Sequence, residues 1–471
     1  MLIFKRHDCK YGVWASHILR IFTLLLMVIK GSGTAVRSIA LGQGREWSCA
    51  VLNDGTIRCW GNNENGRLGD GTTATSPTAV SVSAINTATM IALGGYCQFV
   101  SSGDDHISCL SNYGSYGHSC SLLGDGSVMC WGSNQFGELG DGSSTDRTSP
   151  VHVAGISTAT SIALGSTHSC VVLTDGSVQC WGNNGNGQLG DGTNTIRFAP
   201  VSVSGIASAR SIALGGVRIH SSGVACGYSC AVLTNGSVEC WGCNSVGQLG
   251  DGTKISSSSP VSVAGIMNAT SIALGEYHAC ALLTGGTVMC WGDNDFGQLG
   301  DGTNGLSSLT PVTVSGITSA THIAAGGYHS CSIMTDGSVQ CWGRNNYGQL
   351  GNGTTYHGFT PVSVSGISTA MNIGIGGHHS CVSLTDGSVR CWGRNDYGQL
   401  GDGSNKNSYT PVVVSDLLPP PPSPPQSRAP SSAFTSKIVL SAAVNSRGPD
   451  GRKMLFLGGR RLRTCWFDGH A

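Results

Sequence analysis

Fourteen cysteines stand in seven pairs at a spacing of ten residues: Cys49 and Cys59, Cys120 and Cys130, Cys170 and Cys180, Cys230 and Cys240, Cys280 and Cys290, Cys331 and Cys341, Cys381 and Cys391. Two residues before the first cysteine of each pair come Trp47, His118, His168, Tyr228, His278, His329 and His379. Asp70, Asp141, Asp191, Asp251, Asp301 and Asp402 recur between two glycines, with Asn352 in the remaining copy. Thiolates ligate zinc or close disulfides, imidazoles hold metals or move protons, and carboxylates bind calcium. Zinc is disfavoured, because a C-x9-C spacing lacks the second Cys or His pair that a site needs nearby. Calcium requires several converging oxygens from one loop, and one Asp between glycines supplies too few, so the Asp reads as a turn residue. The histidine series is interrupted by Trp47 and Tyr228. No metal and no cofactor are expected. No nucleophile with a local base, phosphate-cradling loop or acidic pair breaks the background, and the chain reads as a protein that is not an enzyme.

The elements that position these residues are repeats. Cys-Trp-Gly occurs at Cys59, Cys130, Cys180, Cys240, Cys290, Cys341 and Cys391, at successive spacings of 71, 50, 60, 50, 51 and 50 residues. The period is about fifty, with insertions of 21 and 10 in the second and fourth copies. The copy from Thr160 contains SIALG, HSCVVLT, SVQCW and PVSV, four short strand-like runs, the middle two joined through Asp-Gly. A four-stranded sheet of this size buries its faces only against copies of itself around an axis. The expected fold is all-β, a seven-bladed β-propeller of about 50-residue four-stranded repeats. A three-residue loop at Thr174, Asp175 and Gly176 sets position 170 opposite 180, within reach of a disulfide. Small buried thiols in a reducing cell are the rival reading, less economical because both members recur in every copy. Cys226 and Cys243 flank the fourth hairpin and predict a second bridge there, while Cys97 and Cys109 could close the longer insertion. The Trp after each second Cys and the Leu of each Gly-Gln-Leu-Gly-type run are expected to pack between blades.

The pattern HSC..LTDGSV.CWG.N..GQLGDG resembles the repeat of the regulator of chromosome condensation family over about residues 36 to 415. The resemblance implies a seven-bladed propeller, and a histidine that sits at a strand edge bonded to local backbone. The paired cysteines depart from the family's nuclear founder, so the founder's function does not transfer directly. A light-sensing branch of the family carries extra tryptophans at rim positions; here those hold His or Tyr, with Trp47 the exception, which argues against photoreception. Secreted members, among them a β-lactamase inhibitor, bind a protein with one propeller face. The founder is a nucleotide-exchange factor that acts on a small GTPase through an inserted wedge and one face.

Composition agrees with a turn-rich β protein: 71 Gly, 20 Cys, and 26 basic against 26 acidic residues among 471. The net charge of zero hides a division. Residues 1–35 hold five Lys/Arg and one acid, residues 419–471 hold eight and two, and the body between carries the compensating excess of ten acids. Such a body repels phosphate backbones, and nucleic acid is not an expected partner. Lys5, Arg6, Lys10 and Arg20 precede a run from Ile21 to Ile29 that is apolar except for Thr23, followed by Gly31, Ser32, Gly33 and Ala35. Residues 1–35 read as a signal peptide, with an apolar run too short for a transmembrane anchor; a misassigned start codon would also explain the long leader. The domain reading is a propeller over 36–418, a proline-rich linker over 419–430 and a basic tail over 431–471 that is a disordered segment, an electrostatic tether or part of a second module.

Specificity is sought where one copy differs from the rest. The second copy gains Phe99, Asp104, Asp105, His106, Tyr113 and Tyr116, and the fourth gains Arg218 and His220, in the same inter-strand connection. These are the candidate partner-binding residues, unless the insertions are structureless decoration or misread exon boundaries. Asn235, Asn268 and Asn352 are glycosylation triplets. The leading expectation is a secreted or surface-displayed, disulfide-stapled propeller that binds a protein or cell-wall macromolecule through one face, located outside the cell. The alternative is a nuclear or cytoplasmic guanine-nucleotide exchange factor or regulator of a small GTPase. An enzyme such as a lyase or glycosidase lacks an acid pair, and would show itself by loss of activity on mutating Asp104 or Asp105.

Overall fold

Each repeat forms one sheet of four consecutive antiparallel strands, and seven such sheets make a propeller. The computed structural model describes residues 36–42, 47–97, 115–218, 225–415 and 417. The blades run Val36–Ser81, Ala88–His152, Ala159–Ser202, Ala209–Ser262, Ala269–Thr313, Ala320–Ser363 and Ala370–Val413, here blades 1 to 7. The first strands of neighbouring blades touch around the ring, including those of blades 7 and 1, and so line the axis. Among the described residues no strand is exchanged at the closure, because every sheet is built from its own repeat. Side chains close it: Ile39, Leu41 and Trp60 of blade 1 pack with Val389, Leu400 and Val414.

Strand composition follows depth. The second strand of blade 3, His168–Leu173, is buried over all but its last residue, since sheet neighbours flank it and adjacent blades cover both faces. Its sequence accordingly does not alternate as a half-solvated strand would: Cys170–Leu173 is continuously apolar, and the polar His168 and Ser169 before it are buried. The outermost strand, Arg197–Ser202, is half-buried to exposed and carries Pro200, which an edge strand tolerates because one side needs no ladder donor. The core is divided into seven clusters, one at each junction between blades. Each contains the Trp of one blade and the Leu of the blade before it, as with Trp181 and Leu139.

Two recurrent glycines have local reasons, one in the hairpin joining strands two and three and one at the end of strand three. Asp175 Oδ1 accepts hydrogen bonds from Ser177 N at 2.9 Å and Ser177 Oγ at 2.6 Å, and Gly176 takes a φ of 79°. The glycine of Cys-Trp-Gly has a φ of 106° at Gly182, where a Cβ would sit 2.7 Å from the Thr167 carbonyl oxygen. This register pairs Cys170 with Cys180. All seven spacing-ten pairs are disulfides with Cα separations of 4.0 to 4.1 Å, the close pair of an antiparallel ladder. Cys226 and Cys243 form the further bridge in blade 4. Cys109 lies outside the described residues, as do residues 1–35 and 418–471 with the leader, linker and tail assigned to them.

Candidate functional site

The histidines are built into the junctions. His118, His168, His278, His329 and His379 place Nε2 at 3.0, 3.0, 2.8, 2.9 and 3.0 Å from the hydroxyls of Ser169, Ser229, Ser330, Ser380 and Ser48, each in the next blade around the ring. Those hydroxyls donate in turn to the carbonyls of Glu138, Gln188, Gln298, Gln349 and Gln399, at 2.8 to 3.3 Å. A serine has one proton, and it goes to the carbonyl. The hydroxyl must therefore accept from the imidazole, which fixes the neutral tautomer with its proton on Nε2. Burial lowers all five histidines to about 3, so they stay uncharged. The same carbonyls accept the indole N–H of Trp181, Trp241, Trp342, Trp392 and Trp60, at 2.8 to 3.0 Å. This corrects the expectation of a local backbone bond. The backbone at His168 is already engaged, paired with Gly182 on one side and accepting from Gly165 N at 2.9 Å on the other, and its imidazole bonds to the next blade.

Two junctions vary the arrangement. Trp47 gives its indole N–H to Ser119 Oγ at 3.3 Å, and its ring fills space left by Gly95 and Gly117. At the junction of blades 4 and 5, Ala279 stands where the serine would be and Tyr228 replaces the histidine. The Tyr228 hydroxyl reaches the carbonyl oxygens of His278 at 2.5 Å and Gly275 at 3.1 Å. One further departure concerns Glu138, where five other blades have Gln. It accepts from Phe136 N at 2.8 Å, and burial pushes its carboxyl up to about 8.

The Gly-Asp-Gly aspartates are loop clasps. Asp191 Oδ1 accepts from Thr193 N at 3.0 Å and Asn184 Nδ2 at 3.1 Å, and Arg197 pairs with its other oxygen at 2.8 Å. Asn352 does the same with one oxygen, accepting from Thr354 N at 3.1 Å and Asn345 Nδ2 at 3.4 Å. A carbonyl oxygen suffices, so the position requires an acceptor and not a charge. Among the described residues no three or more His, Cys, Asp or Glu converge as a metal site.

One face gathers what differs between blades. The start of each second strand pairs with the end of each third, as in His168 with Gly182, so the first connection of a blade and the loop leaving its third strand emerge together. Blades 2 and 4 lengthen this edge into hairpins, over Ala88–Cys97 with Ser115–Leu123 and Ala209–Arg218 with Ala225–Leu233. The two hairpins touch each other across blade 3, and the Cys226–Cys243 bridge ties the second to the loop after its third strand. Tyr116 lies in the first hairpin, half-buried and opposite Tyr96, and Arg218 ends the strand opposite Ala225. Phe99, Asp104, Asp105, His106, Tyr113 and His220 lie outside the described residues. Asn235, in a hairpin turn, and Asn268, in the connection before the first strand of blade 5, are exposed at the other end of the blades, where Ala269 N bonds to Gly236 O at 2.9 Å.

Blades 5 to 7 carry on this face a group that repeat reasoning passed over. Arg344 and Arg394 are the first residues after their third strands and are 3% and 5% exposed. The Arg344 guanidinium lies 4.7 Å from the Phe296 ring centre and 5.6 Å from that of Tyr328; Arg394 lies 5.2 Å from Tyr347. Phe296 meets Tyr328 edge-on at 5.3 Å. The position reads Asn, Ser, Asn, Cys, Asp, Arg, Arg around the ring, and such scatter gives no periodic signal. The only hint in the sequence is that two arginines stand together in an acidic body.

The "RCC1-like domain" family model matches residues 215–448, and two models of the "Regulator of chromosome condensation (RCC1) repeat" match segments between 36 and 233. The chain is 27% identical over 321 residues to the ultraviolet-B receptor UVR8 of Arabidopsis thaliana, covering 67% of this chain and 55% of that protein. It thus spans about half the length of this curated relative. Among solved structures, Prp20p of Saccharomyces cerevisiae superposes with a TM-score of 0.61 at 19% identity, over 82% of this chain and 87% of that one. Human WBSCR16 gives 0.60 at 20% identity, over 77% and 94%. At these identities the two structures share the fold.

Proposed function

The chain belongs to the regulator of chromosome condensation repeat family, and from this premise we propose that it is a disulfide-stapled binding platform, secreted or surface-displayed, that engages a macromolecule on its hairpin face and performs no chemistry. The observation that carries the proposal is the placement of both non-repeat hairpins on one face, with a disulfide spent on fixing one of them. Rigid blades with variable connections at one end are how a scaffold presents a binding surface. The eight disulfides support a location outside the reducing cell. No helix of the described residues is long and apolar enough to cross a membrane.

The polar residues that resemble catalytic groups support a scaffold, since each histidine spends its proton on a junction and each loop aspartate on its own turn. Light reception, the property in the name of the Arabidopsis relative, is disfavoured by His and Tyr at the rim positions. Guanine-nucleotide exchange draws on a likeness in fold alone, and the disulfides weigh against an intracellular GTPase as partner.

The test uses a photo-crosslinking amino acid at Gln135 or Asp295, exposed in loops leaving third strands, and at Asp175 or Asp386, exposed in the opposite hairpin turns. Crosslinked product in the native setting is expected from the first pair alone. Product from the second pair alone, or from neither, contradicts the proposal.

A further inference from the structure

Arg344 and Arg394 occupy one ring position in neighbouring blades, where blades 1 to 3 fold with Asn62, Ser133 and Asn183. The fold therefore does not need arginine there. Aromatic rings satisfy the flat faces of a guanidinium, but its N–H donors point outward in the plane and require acceptors. Arg394 has one, with Nε 2.6 Å from Asp396 Oδ2, while its Nη1 has none. Arg344 forms no ion pair with any described residue, and its buried Nε has no acceptor. Asp293, at the same position in blade 5, is engaged by Gln298 Nε2 at 2.7 Å. Burying a cation without a counter-charge is costly, and a position that blades 1 to 4 fill with neutral residues gives no folding reason to bear the cost.

We infer that Arg344, walled by Phe296 and Tyr328, forms a carboxylate-reading subsite of the hairpin face that receives an acidic side chain of a protein partner flanked by an apolar residue. The inference rests on the binding-platform reading and gives that surface its chemistry. A planar guanidinium matches a carboxylate through two parallel N–H donors, and the rings beside it favour an apolar neighbour. The acidic body around it disfavours a polyphosphate chain and favours a single carboxylate in an otherwise neutral or basic segment.

The experiment uses two capped, fluorescein-labelled peptides of sequence Leu-Gly-Xaa-Gly-Leu, with Xaa either Glu or Gln, titrated by anisotropy into the intact protein. The Glu peptide is expected to bind at least ~5-fold more tightly than the Gln peptide, the scale of one charge-assisted pair. Arg344→Asn installs the residue of blades 1 and 3 and should abolish the difference. Arg344→Lys should retain part of it, and Arg390→Gln, on the third strand of blade 7, should leave it intact. Unchanged melting temperatures would show that the variants fold. Equal binding of the two peptides, absence of saturable binding, or a difference that survives Arg344→Asn overturns the inference. Displacement by inorganic phosphate at lower concentration than acetate also overturns it, assigning a phosphate instead. Failure of the platform reading is seen separately, as crosslinks absent from the hairpin face.

Discussion

The junction between blades 6 and 7 and the junction between blades 4 and 5 meet one requirement with different side chains. At the first, His329 gives its Nε2 proton to Ser380, and Ser380 gives its own to the Gln349 carbonyl. At the second, Ala279 removes the hydroxyl, and Tyr228 spans the gap to reach backbone carbonyls directly. Burial holds the Tyr228 phenol well above its ordinary value, so it remains a donor. What the position requires is one donor of the right length crossing from blade to blade. Imidazole chemistry is incidental to it, which is why a histidine series that resembles a metal array accompanies a scaffold.

Acid should break the comparison with the largest effect. The five junction histidines keep a folded value of about 3 against 6.5 for the free side chain. A depressed histidine stabilises fully above its unfolded value and loses that contribution as pH falls from there towards the folded one, at ~1.4 kcal/mol per pH unit for each residue. Thermal melting followed by circular dichroism should be level above about pH 7 and fall steeply below about pH 6. A melting temperature unchanged down to about pH 4 would mean that the junctions accept imidazolium.

Removing one hairpin staple comes next. Cys381→Ala with Cys391→Ala should cost ~2–3 kcal/mol by chemical denaturation, the scale for a loop of this length. A loss under ~0.5 kcal/mol would show that packing alone sets the hairpin. Exchanging junction types sharpens the comparison itself. Tyr228→His alone should cost ~2 kcal/mol by leaving carbonyls unserved, and adding Ala279→Ser should recover most of it by rebuilding the His–Ser arrangement. Additive losses would contradict the donor rule.

The smallest effect is a gain. Glu138 is raised to about 8 from 4.5, so folding holds it protonated and is penalised increasingly as pH rises through that window. Glu138→Gln, the residue of five other blades, should raise stability at neutral pH by ~1–2 kcal/mol and have no effect below about pH 4.5. An equal gain at both pH values would place the benefit in packing and not in ionisation.

Legibility in the sequence followed repetition. Strand order, cysteine pairing and the inter-blade Trp and Leu were readable because seven copies constrain one another, and because an Asp-Gly turn fixes register through known geometry. The histidine partner was assigned locally when its bond runs to the next copy. A signal did exist: the one copy with alanine after its histidine, His278-Ala279, directly follows the one copy with tyrosine at that position, Tyr228. Substitutions coupled between successive repeats mark a contact between blades. Arg344 and Arg394 were not legible, because their meaning depends on Phe296 and Tyr328 beside the first and Tyr347 beside the second, which reach them only when neighbouring blades pack. The insertions could be placed on a face but not given a shape, since no sister copy shows their register.

The most direct test of the central claim is a thiol count by mass after alkylation, with and without reductant, on protein purified from its native compartment. The sixteen cysteines of the eight bridges should resist alkylation until reduced. Modification of the fourteen hairpin cysteines without reductant would contradict an oxidised, extracellular platform and return the chain to the intracellular alternative.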